Sequence, residues 1–95
     1  MRDTILNRLI KVIVDDLHPK KIILFGSRGK ESYNYNSDYD LAIDTKKIEF
    51  RVKRILKEKL NDMAGLHSID IIFINEVDKG FRNIILQTGK VVYEK

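Results

Sequence analysis

Between Ile22 and Ile43 two short apolar runs, Ile-Ile-Leu-Phe and Leu-Ala-Ile, flank a polar segment that opens with Gly26-Ser27 and, ten residues later, closes with Asp38-Tyr39-Asp40. No other stretch limits the fold as much. Lys21 to Phe25 is β-branched and apolar between a proline and a glycine, the pattern of a strand buried on both faces. Ser27 to Ser37 predicts one helical turn and then an exposed tip at Tyr33-Asn34-Tyr35-Asn36. From Asp38 to Asp44 the chain resumes as a strand. Period two sets Leu41 and Ile43 on one face and Asp38, Asp40 and Ala42 on the other, with Tyr39 opposite the acids.

The flanking sequence supplies support for this strand-turn-strand. Ile5, Leu6, Leu9, Ile10, Ile13 and Leu17 recur at helical spacing from Asp3 to Leu17, with Asp3 or Thr4 as cap and His18-Pro19 as the stop. A second helix is expected after a cap at Asp44 or Thr45, with Ile48, Val52, Ile55, Leu56, Leu60 and Met63 on its apolar stripe and Gly65 at its end. Ser68 to Ile74 reads as a third strand interrupted only by Asp70, an acid that is costly to bury without a cation or a metal. A last helix is expected over 76–88, carrying Phe81, Ile84 and Ile85 and ended by the stop signal Gly89. Val91-Val92-Tyr93 then forms a terminal strand or docking tail. Phe25, Phe50, Phe73 and Phe81 all read as core. The fold class is α/β (α+β): one small domain over 1–95, with a mixed sheet of three or four strands and about three helices.

Composition narrows the chemistry. At 95 residues, 43% hydrophobic and 34% charged, the chain has the make-up of one globular domain with a single core. No apolar run approaches the roughly 18 residues that span a bilayer, so a cytoplasmic protein is expected. With no cysteine, disulfides and thiolate metal sites are excluded, and any metal must bind through oxygen or histidine. The net charge of +4 suits an anionic nucleotide, an acidic protein or nucleic acid, and does not choose among them. Lys46, Lys47, Arg51, Lys53, Arg54, Lys57 and Lys59 cluster on the second helix, where a solvated face explains them.

Carboxylates on alternate residues of one strand lie about 7 Å apart and point the same way, so Asp38 and Asp40 can converge on a shared cation. If the Asp70 strand lies beside theirs, it adds a third oxygen donor. That set fits magnesium, or manganese, with two ions clamping a phosphoryl centre. Gly26 allows close backbone approach to a phosphate, and Ser27 at the start of a helical turn offers amide and hydroxyl donors. Arg28 and Lys30 add positive charge. A calcium loop starting at Asn34 fails, because Tyr39 stands where its glycine and Thr45 where its glutamate should be. A Walker loop fails for want of the Gly-Lys-Ser/Thr after Gly26.

Gly-Ser, ten residues, Asp-x-Asp and a later strand aspartate, here Gly26, Ser27, Asp38, Asp40 and Asp70, resemble the hallmark of minimal nucleotidyltransferases (MNT) of the DNA polymerase beta superfamily. The similarity runs over nearly the whole chain. Where family members often read Gly-Ser-Arg-Ala-Arg-Gly, this chain has Gly26-Ser27-Arg28-Gly29-Lys30-Glu31, so Lys30 keeps the charge of an arginine without its fork. Chains this short resemble the antitoxin of HEPN/MNT toxin–antitoxin pairs. The resemblance implies ATP as substrate, AMP transfer to a tyrosine of a HEPN toxin, and a hetero-oligomeric complex with that toxin. It also implies that Gly26, Ser27, Arg28 and Lys30 hold the nucleotide. Asp38 and Asp40 would hold the metals, and Asp70 would help activate the acceptor through a metal or as base. A non-catalytic antitoxin that neutralises by occlusion is the alternative. A nucleic-acid-binding module rests on net charge alone and ranks last.

Overall fold

The computed structural model describes residues 4–26, 39–65 and 67–95. The elements run α1 (Thr4–Leu17), β1 (Lys21–Phe25), β2 (Tyr39–Asp44), α2 (Phe50–Ala64), β3 (Ile69–Phe73), α3 (Lys79–Thr88) and β4 (Lys90–Glu94). The four strands form one mixed sheet in the order β3-β2-β1-β4. β1 pairs antiparallel with β2 and β4, while β2 and β3 are parallel. The segment expected as a terminal strand or docking tail is therefore an edge strand.

Alternation along the strands divides the apolar side chains between two faces. Ile22 and Leu24 of β1, Tyr39, Leu41 and Ile43 of β2, and Ile71 and Phe73 of β3 pack with Leu9, Ile13 and Leu17 of α1 and Leu56 and Leu60 of α2. Ile23, Ala42, Ile74 and Ile85 make a smaller cluster on the other face, under α3, joined by Phe25 and Ile72. β1 is thus buried on both sides, as its unbroken apolar run requires.

The first helix ends as the His18-Pro19 pair dictates, with His18 at φ 49 and its amide donating to the Val14 carbonyl at 2.9 Å. Of the two candidate caps for that helix, Asp3 lies outside the described residues. The second helix starts later than expected, at Phe50 after Glu49. Asp44 is held in the sheet, its carbonyl accepting from the Lys20 amide at 2.8 Å, and the Thr45 carbonyl accepts from Asn75 Nδ2 at 3.0 Å. Neither is free to cap. The third helix likewise starts at Lys79 rather than Glu76, because the Glu76 amide closes a turn onto the Phe73 carbonyl at 2.8 Å.

The apolar stripes are covered only in part. Phe50 is 78% exposed, Val52 39%, Ile55 49% and Phe81 37%, so the expectation that these residues are core is corrected, whereas Phe73 is buried. Of the cationic cluster, Lys46 and Lys47 precede α2. Lys53 grips both oxygens of Glu76 at 2.5 and 2.6 Å and stands 4.8 Å over the Phe73 ring, and Lys59 pairs with Asp16 of α1 at 2.8 Å. Among the described residues no helix is long and apolar enough to cross a membrane.

Gly89 joins α3 to β4 where nothing larger fits: a Cβ there would overlap Ile23 Cγ2 and come within 2.7 Å of the Ile85 carbonyl oxygen. That oxygen already accepts the Gly89 amide. Gly89→Ala is expected to cost about 1–3 kcal/mol, the usual range for overpacking. Chemical denaturation should show a lower midpoint at an unchanged slope.

Candidate active site

One end of the sheet collects the acids and the glycine. Asp40 sits at the start of β2 and Asp70 at the start of the parallel β3, directly paired in register. Phe25, the last residue of the antiparallel β1, lies across from Asp40 on the other side of β2. Neighbouring strands are about 4.8 Å apart, so the two aspartates lie side by side. Strand alternation puts both on the α3 face, with Ala42 and Ile72, while Tyr39 turns to the opposite core and is 1% exposed. Tyr39 is held there edge-on by His67, with ring centroids 5.4 Å apart. The Tyr39 amide donates to the Ser68 carbonyl at 2.8 Å, which locks the register at the point where the acids begin.

Gly26 follows Phe25 at φ +71, a left-handed conformation that side chains disfavour. A Cβ there would overlap Asp40 Oδ2 and lie 3.1 Å from its Cγ. The glycine and the carboxylate are therefore packed against each other, and the missing Cβ is what admits the Asp40 side chain. Asp40 is half-buried and Asp70 exposed. The burial cost expected for Asp70 does not arise, and its significance lies in its place beside Asp40.

The expected site residues thus divide in two. The structure brings Gly26, Asp40 and Asp70 together; Ser27, Arg28, Lys30 and Asp38 lie outside the described residues. Among the described residues no three His, Cys, Asp or Glu side chains form a metal-sized group. Asp40 and Asp70 supply two hard oxygen donors whose mutual repulsion a divalent cation would relieve, a donor set that suits magnesium. Phe81 reads from the sequence as a core residue. It reaches this end of the sheet from α3, its ring centroid 6.1 Å from that of Phe25 in a T-shaped contact. Nothing in its helical spacing distinguishes it from a core residue.

Residues 7–95 match the family model described as polymerase beta, nucleotidyltransferase. Protein adenylyltransferase MntA of Aphanizomenon flos-aquae (strain 2012/KM1/D3) is 30% identical over 86 residues, spanning 80% of this chain and 57% of that protein. The chain thus covers little more than half the length of this relative. Among solved structures, a toxin–antitoxin with AMP-PNP superposes with a TM-score of 0.79 at 23% identity, covering 94% of this chain and 73% of that one. The MNT antitoxin complex with tri-AMPylated Shewanella oneidensis HEPN toxin gives 0.77 at 22% identity, covering all of this chain and 74% of the matched one. At such identities these structures attest the fold. With the family model matching residues 7–95, nearly the whole chain, the protein belongs to the polymerase beta nucleotidyltransferase family.

Proposed function

We propose that the protein transfers AMP from ATP to a tyrosine hydroxyl of a HEPN toxin and so acts as the antitoxin of the pair. The observation that carries this reading is the in-register Asp40–Asp70 pair beside a glycine whose Cβ position the Asp40 carboxylate occupies. The names of the relatives support it: one is a protein adenylyltransferase, and the solved neighbours include a complex with an ATP analogue and one with an AMPylated toxin.

In the reaction, the acceptor oxygen bonds to the α-phosphorus, the bond to the β-phosphate oxygen breaks, and pyrophosphate leaves. Gly26 lets the backbone approach the triphosphate, and Ser27, Arg28 and Lys30 contribute donors and charge to the grip. Asp40, together with Asp38 and Asp70, would hold magnesium, which when bound neutralises charge developing on the phosphoryl oxygens. Asp70, the exposed carboxylate, takes the acceptor proton. A HEPN partner presents the hydroxyl, a reading supported by the solved neighbour that holds an AMPylated HEPN toxin.

The test is to incubate the purified chain with its helical HEPN partner, magnesium and ATP labelled on the α-phosphate. Label is expected on the partner. The reading fails if wild type labels no more than Asp38→Ala plus Asp40→Ala. Full neutralisation by that double variant in cells would instead support occlusion without turnover.

A further inference from the structure

We propose that Phe81 is a positioning residue for Gly26 and Asp40. The inference rests on the nucleotidyltransferase reading and adds to it a residue outside the strand-turn-strand. Phe81 belongs to α3, far along the chain from the motif, yet its ring meets Phe25 edge-on, the planes at 85°. Phe25 is joined by one peptide bond to Gly26 and paired across the sheet with Asp40. Gly26 in turn touches the Asp40 carboxylate through the place where a Cβ would stand. A continuous line of contacts therefore runs from α3 to the carboxylate: Phe81, Phe25, Gly26, Asp40.

Phe81 keeps 37% of its surface exposed, between Ile85 at 1% and Ile84 at 57% on the same helix, so burial alone does not set it apart. What its ring does supply is direction. Edge-to-face rings prefer a defined separation and tilt, which a flexible aliphatic side chain of similar bulk does not impose. The ring thus fixes where β1 ends and where the chain turns left-handed at Gly26. α3 is anchored independently by Ile85 in its own cluster and by Gly89 against Ile23, so the fold does not depend on the ring pair.

The experiment compares wild type with Phe81→Ala, Phe81→Leu and the ring-preserving Phe81→Tyr, well below their melting temperatures. Two quantities are read: kcat and KM for ATP in transfer to the HEPN partner, and the residual dipolar couplings of the Gly26 and Asp40 backbone amides in the free protein. Loss of the ring is expected to lower kcat roughly 10- to 100-fold, as small misplacements of reacting groups do, with Phe81→Tyr close to wild type. The Gly26 and Asp40 couplings should change in Phe81→Leu while those of Leu9 and Ile13, on the opposite face, stay in place. Unchanged Gly26 and Asp40 couplings in folded Phe81→Leu would overturn the proposal, as would a wild-type kcat. Should Phe81→Ala fail to fold, Phe81→Leu decides, because it keeps the apolar bulk. Absence of transfer by wild type counts against the nucleotidyltransferase reading alone, since the amide couplings report the positioning without turnover.

Discussion

Asp40→Asn is expected to reduce transfer by roughly a thousandfold, the scale set by the several kcal/mol of charge stabilisation that a metal-assisted phosphoryl site supplies. The substitution keeps the volume beside Gly26, so packing is preserved, and it removes one of two adjacent negative charges. Asp40 and Asp70 are paired in register at the start of their strands, and in the absence of a cation each disfavours the other. Thermal unfolding without divalent ions should show Asp40→Asn close to wild type in stability, because the amide keeps the volume of the carboxylate, even as its transfer rate collapses. A fall in both would mark Asp40 as a structural residue. Magnesium and AMP-PNP together are expected to raise the melting temperature of wild type, and the same variant should lose that rise.

Gly26→Ala is expected to be almost as damaging to transfer, roughly 100-fold, for a different reason. Two costs fall on the new methyl group. At φ +71 an alanine loses about 1–2 kcal/mol relative to an extended or helical backbone. The methyl also overlaps Asp40 Oδ2, so the carboxylate must turn away from the position it shares with Gly26. Because Asp40 is half-buried and can rotate toward solvent, the loss of stability stays moderate, a fall in melting temperature of roughly 5–15 °C. Coupling separates the two costs. In an Asp40→Ala background the overlap is gone, and Gly26→Ala should destabilise by less than it does alone. Equal destabilisation in both backgrounds would mean that the backbone conformation, and not contact with Asp40, requires glycine.

Much of this architecture can be read from the chain, and the parts that cannot have physical reasons. The bounds of β1 follow from Pro19 and Gly26, neither of which continues a ladder, and its unbroken apolar run implies cover on both faces, which the two clusters provide. Opposed orientations of Tyr39 and Asp40 follow from period two alone. The starts of α2 and α3 are less legible, because Asp44 and Thr45 look like caps and Glu76 like a helix start, but their backbone groups are engaged by Lys20, Asn75 and Phe73. Local propensity cannot foresee such tertiary partners. Similarly, the apolar stripe of α2 predicts a helix but not how much of it the sheet covers, and Phe50 and Ile55 stay in the open.

For the candidate site, the spacing from Gly26 to Asp40 marks the residues, and Asp70 is marked by its isolation in an apolar strand. Their convergence depends on parallel pairing of β2 with β3, which the sequence states only as a condition. Contact between Gly26 and the Asp40 carboxylate is still less legible, since it arises from the tilt of a left-handed turn against the neighbouring strand. Phe81 leaves no trace in the sequence beyond its helical spacing, because its role comes from the distance between α3 and the end of β1.

The most direct test of AMP transfer is the intact mass of the HEPN partner produced together with this chain in cells. With the wild-type chain the partner should carry one or more adenylyl groups, each mapped by fragmentation to a tyrosine. With Asp38→Ala plus Asp40→Ala it should carry none while still binding the chain. A partner of unmodified mass alongside the wild-type chain, in cells that it nonetheless protects, would contradict a catalytic role for Asp40 and leave binding as the means of neutralisation.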